Sequence, residues 1–213
     1  LSAVDFDWTM HMKSVWRDNR HDVETLHQAY RRKILQEMQR LQQSQESNSP
    51  LGMILVGSAG SGKTHLLSAL RQATLSQGNS FVLVDMTDVH NFWNTVLQGY
   101  VDSLQQEDSH GVSQFHKLLD DLIKETKVAF TRAQLAQAER RHVGWYIVEL
   151  LNALNKRYRR EVIKHQDVIR ALVLLNSDDF AISNVGNSWL LGLGVEEQDS
   201  SDFRFSVNVP TEA

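Results

Sequence analysis

The apolar positions of this chain follow a helical period over most of its length and an extended one in three short places. Val23, Leu26, Tyr30, Ile34, Met38 and Leu41 form one stripe, which predicts a helix over residues 23–41 with Asp22 able to cap it. Residues 42–50 are polar, end in Pro50 and read as a linker. Residues 51–56 are an apolar run of strand length. Leu66, Leu67, Leu70 and Ala73 then return to helical spacing, which stops at Gln77-Gly78-Asn79. Residues 81–85 predict a second short strand.

Beyond it the pattern turns helical and stays so. Asp88 can cap a helix carrying Val89, Phe92, Trp93, Val96, Leu97, Tyr100 and Leu104, an aromatic stripe of the kind that packs into a core. Ser113 can cap a helix with Phe115, Leu118, Leu119, Leu122 and Ile123. Thr131 can cap a longer one, on which Val143, Ile147, Leu150, Leu151, Leu154 and Tyr158 share a face. Residues 168–175 are ambiguous by period alone; Ile163 and Asp167 extend a helical spacing ahead of them, so they are read as helix. Residues 203–209 alternate strictly and predict a strand.

Composition narrows the classes. The 41% apolar content suffices for a core, and only two prolines interrupt the helical stretches. Cysteine is absent, which removes disulfides, thiolate nucleophiles and cysteine metal sites and is compatible with the expected cytoplasmic location. A net charge of −4 gives no global field for nucleic acid or an acidic membrane. No apolar run approaches the ~18 residues of a membrane span. The nine histidines show no paired metal-ligand spacing.

The candidate chemistry lies between the first strand and the helix after it. Gly57-Ser58-Ala59-Gly60-Ser61-Gly62-Lys63-Thr64 meets the phosphate-binding pattern G-x-x-x-x-G-K-[ST] at every fixed position. The glycines let the loop curl until successive backbone N–H groups face one concavity. Lys63 brings a mobile cation for the β- and γ-phosphates, and the Thr64 hydroxyl is placed to ligate Mg²⁺. The helix that begins there adds its positive end. His65 follows in the first turn and joins the candidate nucleotide-binding set. This loop divides the chain into a helical lead-in (1–48), a P-loop nucleotide-binding core (49–108) and a mainly helical region (109–213) that reads as an insertion or a partner-binding part. The expected fold class is α/β, a P-loop NTPase core whose parallel sheet is incomplete, with a large helical portion.

Gly62-Lys63-Thr64-His65-Leu66-Leu67 resembles the phosphate loop of the AAA+ initiator clade, which includes the bacterial replication initiator, the helicase loaders and the Orc proteins. The preceding helix and short loop look like the entry to such a module, which in that family lies beside the adenine pocket. Trp189-Leu190-Leu191-Gly192 is similar to a region of large bacterial ATPases in which helices follow the second strand. The resemblance implies ATP with Mg²⁺, and a nucleotide-driven machine acting on nucleic acid or assembling with copies of itself or a protein partner.

The departures from that family matter. It requires an apolar strand ending in Asp-Glu, and none is present. Val84-Asp85 supplies strand and Asp, but Met86 follows. In the AAA+ clade that position is remote from Mg²⁺; in the kinase–GTPase class it lies next to the loop, which leaves Asp85 as the one candidate catalytic acid. Residues 172–179 are a poorer imitation, better explained as a helix end. Two strands do not make a stable covered sheet. Either residues beyond Ala213 complete it, with this chain the N-terminal part of a longer ATPase, or residues 203–209 join it, and the first is preferred. The rival to an ATPase is a scaffold that binds ATP, hardly hydrolyses it and recruits a protein. Lys156, Arg157, Arg159, Arg160 and Lys164 cluster at one helix end, with Arg140 and Arg141 upstream. Cations at the negative pole of a solvated helix explain them better than nucleic acid does.

Overall fold

A computed structural model describes residues 15–16, 27–43, 52–87, 90–108 and 110–206. The chain divides into two compact units, Leu1–Phe81 and Val82–Ala213.

In the first unit α1 (Gln28–Gln43) packs on α2 (Lys63–Ser76). Leu66, Ala69 and Leu70 of α2 are buried, while Ile34, Met38 and Leu41 of α1 are half-buried. The predicted cap Asp22 and the first positions of the α1 stripe lie outside the described residues. The end of α2 is as predicted: Gly78 turns left-handed (φ 75°), and the Gly78 and Asn79 N–H groups donate to the Leu75 and Thr74 carbonyls at 3.1 Å each. Trp16 meets Phe81 edge-on at 5.6 Å, and the buried Arg71 guanidinium lies 5.9 Å from the centre of the Trp16 ring.

The second unit is helical: α3 (Phe92–Gln105), α4 (Gln114–Thr126), α5 (Arg132–Ala136), α6 (Arg140–Leu175), α7 (Phe180–Leu190) and α8 (Glu197–Phe203). Its core is the predicted face of α6 from Val143 to Leu154 (Val143, Ile147, Leu150, Leu151, Leu154), without the exposed Tyr158 that the period assigns to it, closed by Phe115, Leu119 and Ile123 of α4 and by Ile182 and Val185 of α7. Ser113 caps α4 through a reciprocal box with His116, and Thr131 caps α5 the same way with Gln134. Thr131 therefore starts a short helix, not the long one, which begins at Arg140 after Glu139. Residues 168–175 are helical, as read. α6 bends at Tyr158 (φ −129°, ψ 41°), whose hydroxyl donates to Glu125 at 2.5 Å. Gly186 brings α7 against α6: a Cβ there would stand 2.4 Å from the Ala171 carbonyl oxygen and 2.8 Å from the Leu175 nitrogen. Further along, the Ser206 N–H donates to the buried Asp167 carboxylate at 2.9 Å, tying the segment after α8 back to α6.

The expected α/β fold with a parallel sheet is not what the structure shows. Among the described residues there is no strand, and the one extended pairing is an isolated bridge between Glu107 and Ser113. A strand exists by its ladder, and neither apolar run has one. Residues 52–56 are exposed, Ile54 and Val56 at 92% and 86%. Residues 82–85 find helix α3 in place of a neighbouring strand. The Leu83 N–H donates to the Ser103 hydroxyl at 2.9 Å, and that hydroxyl is also 3.2 Å from the Leu83 carbonyl. Gly99 permits the approach, since a Cβ there would come within 3.1 Å of Leu83 O and Val84 Cα. The alternation at residues 203–209 is also misleading. Phe203 ends α8, Arg204 turns left-handed (φ 57°), and the Phe205 N–H returns to the Ser200 carbonyl at 3.0 Å. The two aromatic rings anchor a helix end, Phe203 in the core and Phe205 stacked on Trp189 at 5.4 Å, while residues 207–209 lie outside the described set.

The stripe of α3 departs from expectation too. Its cap is Asn91, whose side chain accepts from the Asn94 N–H, while Asp88 lies outside the described residues. Phe92, Trp93, Leu97 and Tyr100 are exposed, because Val101, Ser103 and the half-buried Gly99 face inward. Small residues, not the aromatic ones, seat the adjacent segment.

Candidate functional site

The loop from Gly57 to Thr64 curls as its glycines predict. Gly60 (φ 77°) and Gly62 (φ 83°) adopt the left-handed conformation that a side chain would strain, and Gly62 stands at the N-cap of α2. The turn is closed by the Ser61 N–H to the Ser58 carbonyl at 3.2 Å, and α2 opens with Leu66 N–H to Gly62 O at 2.9 Å. Lys63 reaches back across the curl. Its ammonium donates to the Gly57 and Ser58 carbonyls at 2.7 Å each and to the Ser61 hydroxyl at 3.3 Å. The cation thus sits at the loop's mouth. Residues 57–60, Ala59 among them, are exposed, and a Cβ on Gly60 would meet nothing within 4 Å.

The surroundings suit an anion. No acidic residue lies in the first turn of α2, so nothing there opposes its positive end. Thr64 and His65 occupy that turn half-buried. Among the described residues no three His, Asp or Glu side chains gather as metal ligands.

Asp85 ends the segment seated on α3 and belongs to the second unit. Its Oδ1 accepts from the Thr87 hydroxyl at 2.7 Å and from the Thr87 N–H at 3.0 Å. Those bonds, the hydroxyl first, hold its carboxyl below the usual carboxylate range, so it is charged at neutral pH. The acids of residues 172–179 have structural work: Asp179 caps α7 by accepting from the Ala181 N–H at 2.8 Å. In the basic cluster Arg157 pairs with Glu125 at 3.0 Å and overlies Tyr158 at 5.5 Å. Upstream, Arg140 binds Asp199 and Asp202 and covers Phe203 at 4.9 Å, and Arg141 pairs with Glu139 at 2.8 Å. Among the described residues no helix is long and apolar enough to cross a membrane.

Two features escaped the sequence. Gly99 and Ser103, one helical turn apart, hold the segment that ends in Asp85, and their small size four residues apart was the available signal. His27, just ahead of α1, places its Nε2 2.8 Å from the Ser61 carbonyl oxygen. It belongs to no motif and no apolar period.

The family model for Zeta toxins matches residues 35–130, from within α1 through α4. No curated protein matches the chain, and no solved structure does. The match is to a P-loop, kinase-like family and not specifically to the AAA+ initiators. Together with the curled loop and its lysine, the match supports a P-loop NTPase relationship for residues 35–130.

Proposed function

We propose that the loop binds the triphosphate of ATP with Mg²⁺ and that the chain is a phosphoryl-transfer module of the kinase-like kind. The observation that carries this is the Lys63 ammonium held against Gly57 O and Ser58 O within a loop of left-handed glycines. A phosphate oxygen offers that ammonium a charge-assisted partner in exchange for neutral carbonyls. Thr64 supplies the protein oxygen for Mg²⁺, and loop N–H groups take the phosphate oxygens. Bound Mg²⁺ neutralises charge that develops on the transferred group. Asp85, ionised and exposed, is the one candidate acid for the chemistry. The Zeta toxin match favours this reading over an AAA+ machine.

Lys63→Ala should abolish the thermal shift produced by ATP–Mg²⁺ and leave the fold intact. At a hundredfold excess over Kd that shift reflects about 2.7 kcal/mol. Equal shifts in mutant and wild type would end the proposal. Turnover into water should be slow in single-turnover assays, since no arginine finger or base beside the loop is assigned, and a finger alone is worth about 10³–10⁵ in rate. The AAA+ reading rests on the resemblance of Gly62 to Leu67 and would have a neighbouring copy supply that arginine. Hydrolysis per chain that climbs steeply with protein concentration would favour it. Fast turnover that Asp85→Asn destroys, with ATP binding intact, would make Asp85 a hydrolytic acid.

A further inference from the structure

We propose that His27 is a positioning residue for the phosphate loop, fixing the peptide between Ser61 and Gly62 so that its N–H is presented to a bound phosphate. The inference rests on the reading of the loop given above. A carbonyl oxygen only accepts, so the 2.8 Å contact requires a proton on His27 Nε2, donated to Ser61 O. The peptide unit is planar and trans, so its C=O and N–H point in opposite directions. Holding Ser61 O toward His27 therefore turns the Gly62 N–H away from His27. Gly62 is left-handed (φ 83°) and carries no side chain, so the bond from His27 to Ser61 O adds restraint at a permissive point of the chain.

The rest of the loop shows the same need. Lys63 restrains the Gly57 and Ser58 carbonyls, and Ser58 O also receives the Ser61 N–H. The Ser61 carbonyl closes the curl just before α2, and its partner comes from 34 residues away in sequence. His27 is itself built for the position. It is left-handed (φ 58°), an uncommon conformation for a residue with a side chain, and its own carbonyl accepts the Arg31 N–H at 2.9 Å, closing the first turn of α1. Its ring lies 6.2 Å from that of Tyr30. One residue thus joins the start of α1 to the turn on which α2 begins.

The test compares His27→Gln with His27→Met, side chains of equal length of which only glutamine carries an N–H donor. Dissociation constants for ATP–Mg²⁺ and for inorganic tripolyphosphate with Mg²⁺ are measured by calorimetry on the full chain, alongside ligand-free melting and Lys63→Ala. His27→Met should bind both ligands about five- to tenfold more weakly than wild type, the worth of one hydrogen bond, and His27→Gln should recover most of that. Both variants should remain folded without ligand, with His27→Met melting no higher than His27→Gln. Equal affinities of the two variants would overturn the inference, because the donor would then be irrelevant. A loss with ATP that is missing with tripolyphosphate would overturn it as well, since His27 would then be touching the nucleoside. If Lys63→Ala abolishes binding while His27→Met matches wild type, this inference alone falls; if wild type binds neither ligand, the loop reading falls with it.

Discussion

The two units hold their structure in different ways. In the helical unit, Leu119, Leu135, Val143 and Leu150 are sealed at 0–1% exposure, and a glycine is spent to bring α7 onto α6. Hydrophobic burial of side chains placed by a regular period does the work there. In the first unit, the glycine loop is exposed over residues 57–60 and is held by polar contacts: one ammonium, one imidazole and a few backbone bonds. The difference teaches that a core tolerates no intrusion but needs no particular chemistry, whereas a phosphate cradle must remain open and depends on individual donors.

Substitutions can break that contrast or sharpen it. The largest effect should come from Leu150→Ala, which empties a fully buried position and should cost about 2–5 kcal/mol in denaturant unfolding, with ATP affinity unchanged. Loss of ATP binding in a still-folded Leu150→Ala protein would erase the distinction. Next is Gly186→Ala, where the new methyl meets the backbone of α6; overpacking of this kind costs about 1–3 kcal/mol, read as a lower melting temperature. Ser113→Ala removes the cap of α4 and should cost about 1 kcal/mol.

A pH titration probes the same cap. His116 Nδ1 accepts the Ser113 N–H at 3.2 Å, which the protonated ring cannot do. Burial first, and then the nearby Arg132 charge, hold the imidazole below its ordinary value. The folded state thus prefers the neutral ring. Its contribution is complete above the unfolded value of about 6.5 and is lost as pH falls from there through the lower folded value. His116→Ala should flatten stability against pH in that window. The smallest effect expected is none: Arg157, Arg159 and Arg160 changed together to Ser should leave DNA and RNA binding where it was. A loss with a shallower salt dependence would reassign the cluster.

The legible part of this chain was whatever a local rule determines. The eight-residue phosphate pattern fixed the loop because its glycines and lysine act through backbone geometry within that stretch. Ser113 and the face from Val143 to Leu154 were legible because caps and periods are local too. The sheet was misread because an apolar run records only that a segment is extended and greasy. Whether a strand or a helix satisfies Leu83 is decided by Ser103, and the run itself does not contain that choice. The stripe of α3 failed for a related reason, since Gly99 and Ser103 claimed the inward face. His27 was invisible because one imidazole contacting one distant carbonyl leaves no period and no motif.

The α6–α7 hairpin also bears on the order in which the second unit assembles. Its partners, Ala171 and Leu174 on one side and Ile182, Val185 and Gly186 on the other, are separated by one tight turn capped by Asp179. Closing a loop of that size takes about 10–100 ns and costs little chain entropy, whereas bringing α4 to α6 spans a longer connection. We expect the hairpin to be the nucleus, and the chevron of Gly186→Ala to lose rate on its folding arm. An effect confined to the unfolding arm would place the start of folding elsewhere. A glycine that reads in the static structure as a packing concession would then act in time, setting how soon the chain leaves the exposed, adhesive states that precede its core.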